Sequence, residues 1–188
     1  IGCSEEEMRS TPYSPATLRR VRNSKKWAAT ARHEAGHAVV SVALGRAVRQ
    51  VRLTPGNADR LGVCEGFPDR GEFRELGPSY WSPRKVRAQV LVLLAGDIAE
   101  KRFDRTRRFG GHGDYDLVCD IIFSAFGSGD ASDRCRRWAD DCDRLVTKHL
   151  PQIRAVAEAL LASDSLALTG RQIREICKRS VASSHLAG

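Results

Sequence analysis

His33 and His37 stand four residues apart in the stretch TARHEAGHAVV (30–40), and Glu34 directly follows the first histidine. On an α-helix, residues i and i+4 lie one above the other on the same face. Two imidazole nitrogens at that spacing can bind one tetrahedral metal ion at about 2.0–2.1 Å. Glu34, next around the helix, then sits beside the metal and can accept a proton from metal-bound water, whose pKa zinc lowers toward about 7. This constellation points to zinc-assisted hydrolysis of a peptide bond. Glu34 acts first as general base and then as proton donor to the leaving amine, while the metal polarises the scissile carbonyl. The plain alternative is a core helix with two incidental histidines. Gly36 argues against it, because a glycine inside a helix costs about 1 kcal/mol relative to alanine and so implies a packing or access requirement. Ala35 and Ala38 likewise leave room around the helix.

A catalytic zinc site needs a third protein ligand and an open position. No histidine follows at the HExxHxxGxxH spacing, since residues 40–43 read Val-Ser-Val-Ala. The remaining candidates are His112, Asp114 and Asp116 in GGHGDYDLVCD and Glu100 in AGDIAEKRF. Spacing alone does not choose among them.

The elements that must position these residues are legible in outline. Residues 1–22 are polar, with Ser-Pro and Thr-Pro turns and an acidic SEEE run, and read as a loosely ordered extension. Asn23 or Ser24 caps a helix that carries the two histidines to about Leu44, where Gly45 stops it. AVRQVRLTP (47–55) alternates apolar and polar residues as a half-buried strand does, and LGVCEGF (61–67) is a second short strand able to pair with it in an antiparallel sheet. Residues 68–81 read as loop. Ser82-Pro83 opens a long apolar helix to about Phe103. A Gly-rich basic connection (104–113) leads to a helix over about 114–126. Two more helices over 131–149 and 151–163 divide at Pro151, and a last one follows Thr169 as cap. The expectation is therefore one α+β, predominantly α-helical domain over 23–180 with a small sheet beside the histidine helix, and a tail at 181–188.

Composition narrows the function classes. No apolar run reaches the roughly 18 residues needed to span a bilayer, and no GxxxxGK[ST] loop is present, so neither a membrane segment nor a nucleotide is expected. The six cysteines lack any CxxC pair, which in a chain of 188 residues suggests reduced, packed thiols and a cytoplasmic setting. The net charge of +8 favours acidic partners, yet the basic residues fall in separate short groups, so nucleic acid is not the expected main partner.

Taken in order, HEAGHAVVSVAL, VRLTPG…LGVCEGF, VRAQVLVLLAGDIAEKRF, GGHGDYDL and AEALLASDSLALTGRQIREI resemble the peptidase domain of the FtsH family, membrane-tethered and ATP-dependent zinc proteases. The resemblance covers roughly residues 25–178 and implies a zincin-like fold with one Zn²⁺ per chain. It implies His33, His37 and Asp116 as metal ligands, the last from the family's Asp-Leu element, and Glu34 as catalytic base. Glu100 falls on a helix where the family's glutamate is structural or supports a ligand. The family presents substrate to an edge strand beside the zinc helix, which points to Val51, Leu53, Gly62 and Val63 as substrate-binding positions, held by main-chain hydrogen bonds.

The chain departs from the family pattern at His112-Gly113-Asp114-Tyr115. Asp114 there can compete for the metal or orient a ligand, and His112 can contact substrate. The family's ATPase module and transmembrane helices have no counterpart in this sequence. The implied activity is thus an ATP-independent metalloendopeptidase acting on unfolded proteins or peptides, with homo-oligomerisation compatible but not required. The competing expectation is an inactive zinc-binding domain that docks a partner protein or nucleic acid.

Overall fold

The computed structural model describes residues 13–57, 60–66, 82–104, 112–129 and 131–185. Helices α1 (Pro15–Arg22) and α2 (Lys25–Ala43) are followed by strands β1 (Gln50–Leu53) and β2 (Gly62–Glu65). Helices α3 (Pro83–Phe103), α4 (His112–Phe126), α5 (Ala131–Lys148) and α6 (Leu150–Ala162) come next, then strand β3 (Ala167–Thr169) and helix α7 (Gly170–His185). The architecture is α+β and predominantly helical, and none of the described helices is long and apolar enough to cross a membrane.

At the centre of the fold is α2. A helix exposed on one side shows one apolar stripe, whereas a helix covered all round is apolar all round. From Ala29 to Ser41, α2 is covered on most sides, with Ala31, Ala35, Ala38, Val39 and Val40 all buried and Glu34 and His37 buried among them. It packs most extensively against α3, then against α6, and the sheet lies against it as well. The small residues set how close the neighbours come. A Cβ at Gly36 would stand 2.5 Å from the Ala95 carbonyl oxygen and 2.9 Å from the Ala99 Cβ, both on α3. Leu44 caps α2, and Gly45 follows with φ +69°, the left-handed conformation that ends helices and favours glycine.

Helix α3 starts where expected, with the Ser82 hydroxyl accepting a hydrogen bond from the Lys85 amide at 3.4 Å and Pro83 in the first turn. Its stretch from Gln89 to Asp97 is buried almost without break. The sheet has the order β2-β1-β3 with both pairings antiparallel, Val51 opposite Cys64 on one side and Leu168 on the other. Along β1, Val51 and Leu53 turn to the core and Arg52 to solvent.

Three features differ from the sequence reading. Part of the expected loose extension is helix α1, whose N-cap Ser14 accepts from the Thr17 amide at 3.2 Å and which buries Leu18 and Val21. Arg22 ties it down by donating to the Leu161 and Ala162 carbonyls and to Asp164, at the C-terminal end of α6. Residues Ala167–Thr169 add a third strand, too short to show an alternating pattern; Thr169 also caps α7 through reciprocal bonds with Gln172, as expected of it. Finally, α7 runs on to His185 through most of the expected tail.

Replacing Gly36 with Ala tests the helix seam. Helix propensity alone would favour the substitution by about 1 kcal/mol. Overpacking against a backbone oxygen costs about 1–3 kcal/mol, so a net loss is expected. At this chain length each kcal/mol lowers Tm by about 2–4 °C. Thermal unfolding followed by circular dichroism reads the result, and a raised Tm would show that α2 and α3 have room to spare.

Candidate metal centre

His33 and His37 project from one face of α2 toward α3 and α4. Their rings meet edge to face, with centroids 4.5 Å apart and planes at 83°, and their Nε2 atoms approach to 2.9 Å. Asp114, in the first turn of α4, brings Oδ2 to 3.1 Å from the His33 Nε2 and 3.2 Å from the His37 Nε2. Three donor atoms from two helices therefore form a nearly equilateral triangle. Ligands of a tetrahedral zinc ion at about 2.0–2.2 Å stand about 3.3–3.6 Å from one another, so only a slight expansion of this triangle would admit the ion. His33, His37 and Asp114 can hold a metal ion.

The surroundings fit that reading. The His37 Nδ1 lies 2.7 Å from the Val92 carbonyl oxygen and donates to it, which leaves Nε2 with a lone pair for the metal. The His33 Nδ1 lies 3.3 Å from the Glu100 Oε1 and 3.5 Å from the Asp97 Oδ1. Gly96 provides the space, since a Cβ there would stand 2.6 Å from the His33 Cε1 and the His37 Nε2. The missing side chain of α3 is the cradle in which the two imidazoles converge.

Glu34 is buried and belongs to a different wall of the site. Strand β2 passes directly over it, so that a Cβ at Gly62 would stand 2.7 Å from both its Cγ and its Oε1. Burial raises the Glu34 carboxyl above its ordinary pKa, with the two histidines only partly opposing. Asp114 behaves in the opposite way. Burial pushes it up, but His37 and His33 pull its pKa far below the usual carboxylate range. For His33, burial pulls the pKa down, yet hydrogen bonds to Asp114 and Glu100 and the charge of Glu34 carry it well above the ordinary value. For His37, burial and the neighbouring His33 are outweighed by Asp114 and Glu34, and its pKa is also raised.

The structure redistributes the roles that the sequence suggested. His33, Glu34 and His37 come together. Asp116, the expected third ligand, is exposed and does not join them. Because α4 already begins at His112, residues two apart are separated by about 200° around the helix, and Asp114 and Asp116 cannot face the same point. Asp114 is the carboxylate that stands beside both histidines. Glu100 contacts His33 but is not itself among the three candidate donors. The His112 side chain lies outside the described residues. Val51 and Leu53 are corrected as substrate-binding positions, because β1 is the middle strand, paired on both sides, and turns both side chains into the core. Gly62 and Val63 lie on β2, which is at the edge of the sheet among the described residues. Sequence reasoning missed Val92, Gly96 and Asp97. The Gly-Asp pair inside an apolar helix was the available signal, since neither residue belongs in a buried helix interior without a partner.

Compared with family models and with curated proteins, the chain matches none.

Two measurements follow from this geometry. Asp114→Asn removes a charged donor and should lower zinc affinity at least about tenfold, whereas Asp116→Asn should leave it unchanged. Metal analysis after dialysis against a graded chelator separates them, and the reverse result would restore Asp116 as ligand. The second concerns pH. A raised histidine pKa means that the folded, metal-free protein binds the proton more tightly than the unfolded chain. Its contribution to stability is complete below about pH 6.5 and is lost as pH rises through the raised values. Metal competes with those protons for the same Nε2 atoms. Over this window the histidine-linked part of Tm should fall with rising pH in chelator, and the gain in Tm from added zinc should grow.

Proposed function

We propose that the chain is a zinc-dependent metalloendopeptidase that hydrolyses unfolded proteins or peptides. The observation that carries this reading is the buried carboxyl of Glu34, set between the two histidines that converge with Asp114 and the edge strand β2. A zinc ion held by His33, His37 and Asp114 would supply Lewis acidity toward a carbonyl and toward water. The protein's own groups supply the rest. Glu34 takes a proton from the attacking water and passes it to the departing amine. A carboxyl whose pKa is raised by burial suits both halves of that transfer, because it can hold the proton between the two steps. Asp114, held ionised by the histidines, remains a donor throughout.

An extended peptide has a natural place along β2. Among the described residues Gly62–Glu65 pairs with β1 on one side only, and the other side can accept a further strand through main-chain hydrogen bonds. Gly62, where strand and Glu34 touch, brings that peptide next to the base. Recognition through the main chain suits substrates of varied sequence in unfolded form, and none of these steps draws on a nucleotide. The resemblance of HEAGH and its following blocks to the FtsH peptidases supports the same reading.

Glu34→Gln is the decisive variant. It should keep about one zinc per chain while hydrolysis of casein falls about 10²–10⁴-fold, the range that general-base catalysis contributes. A wild-type protein that holds zinc but cleaves neither casein nor short peptides would favour the zinc-binding docking domain instead.

A further inference from the structure

The two imidazoles of the centre are held by different means. His37 gives its Nδ1–H to a neutral backbone carbonyl, that of Val92, at 2.7 Å. His33 has one Nδ1–H and two carboxylates near it, the Glu100 Oε1 at 3.3 Å and the Asp97 Oδ1 at 3.5 Å. Asp97 and Glu100 stand three residues apart on α3, the spacing that puts two side chains on one helix face. Their side chains retain only 7% and 13% of their accessible surface.

Asp97 is the less expected of the pair. A carboxylate withdrawn from water is retained at high cost unless something compensates it. Yet the Asp97 Oδ1 is fully buried and, among the described residues, completes no hydrogen bond of ordinary geometry. Asp97 does not serve as a metal donor either. The nitrogens of an imidazole point to opposite sides of the ring, so a group reached through Nδ1 is remote from the ion that Nε2 would bind. The Nδ1–H of His33 lies within reach of the Asp97 Oδ1 at 3.5 Å, and the Lys101 ammonium, one turn further along α3, also bears on this carboxylate. A hydrogen bond to the second nitrogen of a ligand histidine fixes its tautomer and ring orientation and raises its basicity.

We propose that Asp97 is a positioning residue of the centre: together with Glu100 it holds the single Nδ1–H of His33, so that Nε2 is the nitrogen turned to the metal. The inference rests on the metal-binding reading of His33, His37 and Asp114. It makes His33 the more strongly donating of the two imidazoles, being backed by carboxylates where His37 is backed by an amide carbonyl. Because one proton has two acceptors, loss of either carboxylate leaves the other to hold the ring.

That redundancy can be measured as a double-mutant cycle on the full chain, with cobalt(II) as the probe ion and zinc competition as a second readout. Asp97→Asn and Glu100→Gln should each weaken cobalt binding by up to about tenfold, within the range for partners of metal ligands. The double variant should lose about 10³-fold, more than the product of the single losses, which marks the two residues as coupled. The visible cobalt spectrum should stay close to wild type in each single variant and shift in the double, as the His33 ring loses both charged acceptors. Circular dichroism of the metal-free forms separates this from unfolding, which would not change the spectrum of the cobalt that remains bound. Asp97→Ala should weaken binding more than Asp97→Asn, whose amide keeps the shape of the side chain but offers only a neutral and much weaker acceptor. If the alanine variant does not fold, the asparagine variant in the Glu100→Gln background decides. Cobalt affinity and spectrum there equal to those of Glu100→Gln alone would overturn the role of Asp97. A wild-type chain that binds neither cobalt nor zinc would overturn the metal reading itself.

Discussion

Everything at this site depends on how closely α2 and α3 approach. The seam between them carries a glycine from each side. Gly36 of α2 meets the Ala95 carbonyl, and Gly96 of α3 meets the two imidazoles. Any side chain at either position would push the helices apart by displacing backbone or rings rather than a flexible tip. The same contact that builds the core therefore traps His33 and His37 against α3 and puts the Val92 carbonyl within 2.7 Å of one of them. Packing and ligand orientation are one constraint, because protein interiors have little slack to separate them.

Charge is the second organising feature. Glu34, Asp97, Glu100 and Asp114 gather around two imidazoles in a largely buried space. Carboxylates so placed are tolerated only where protons or cations compensate them. Here the compensation is uneven. Asp114 touches both histidines and stays ionised, while Glu34 and Asp97 are dominated by burial and shift toward the protonated form. Environments that push neighbouring carboxyl groups in opposite directions are what separate a ligand from a proton carrier.

Much of this was legible in the chain. The 3.6-residue pattern marked the long helices, Gly45 and Ser82-Pro83 marked their ends, and His33, Glu34 and His37 announced themselves by spacing. Other parts left no adequate local signal. Helix α1 carries only two core residues and is held by Arg22, whose partners on and just beyond α6 lie far along the chain. The third strand has three residues, and without it β1 reads as an edge. The third ligand could not be chosen from GGHGDYDL by spacing, and the family resemblance favoured Asp116. The helical start of α4 at His112 turns Asp114, not Asp116, toward the two histidines.

The sequence by itself determined which groups could do chemistry and which face of α2 they share, because a helix converts a four-residue spacing into adjacency without help from the rest of the fold. Only the tertiary structure decided what completes them. The third donor, the carboxylates behind His33 and the strand over Glu34 come from segments between about 30 and 80 residues away. Their meeting is set by how α3, α4 and β2 pack on α2, and no local pattern in the chain encodes that.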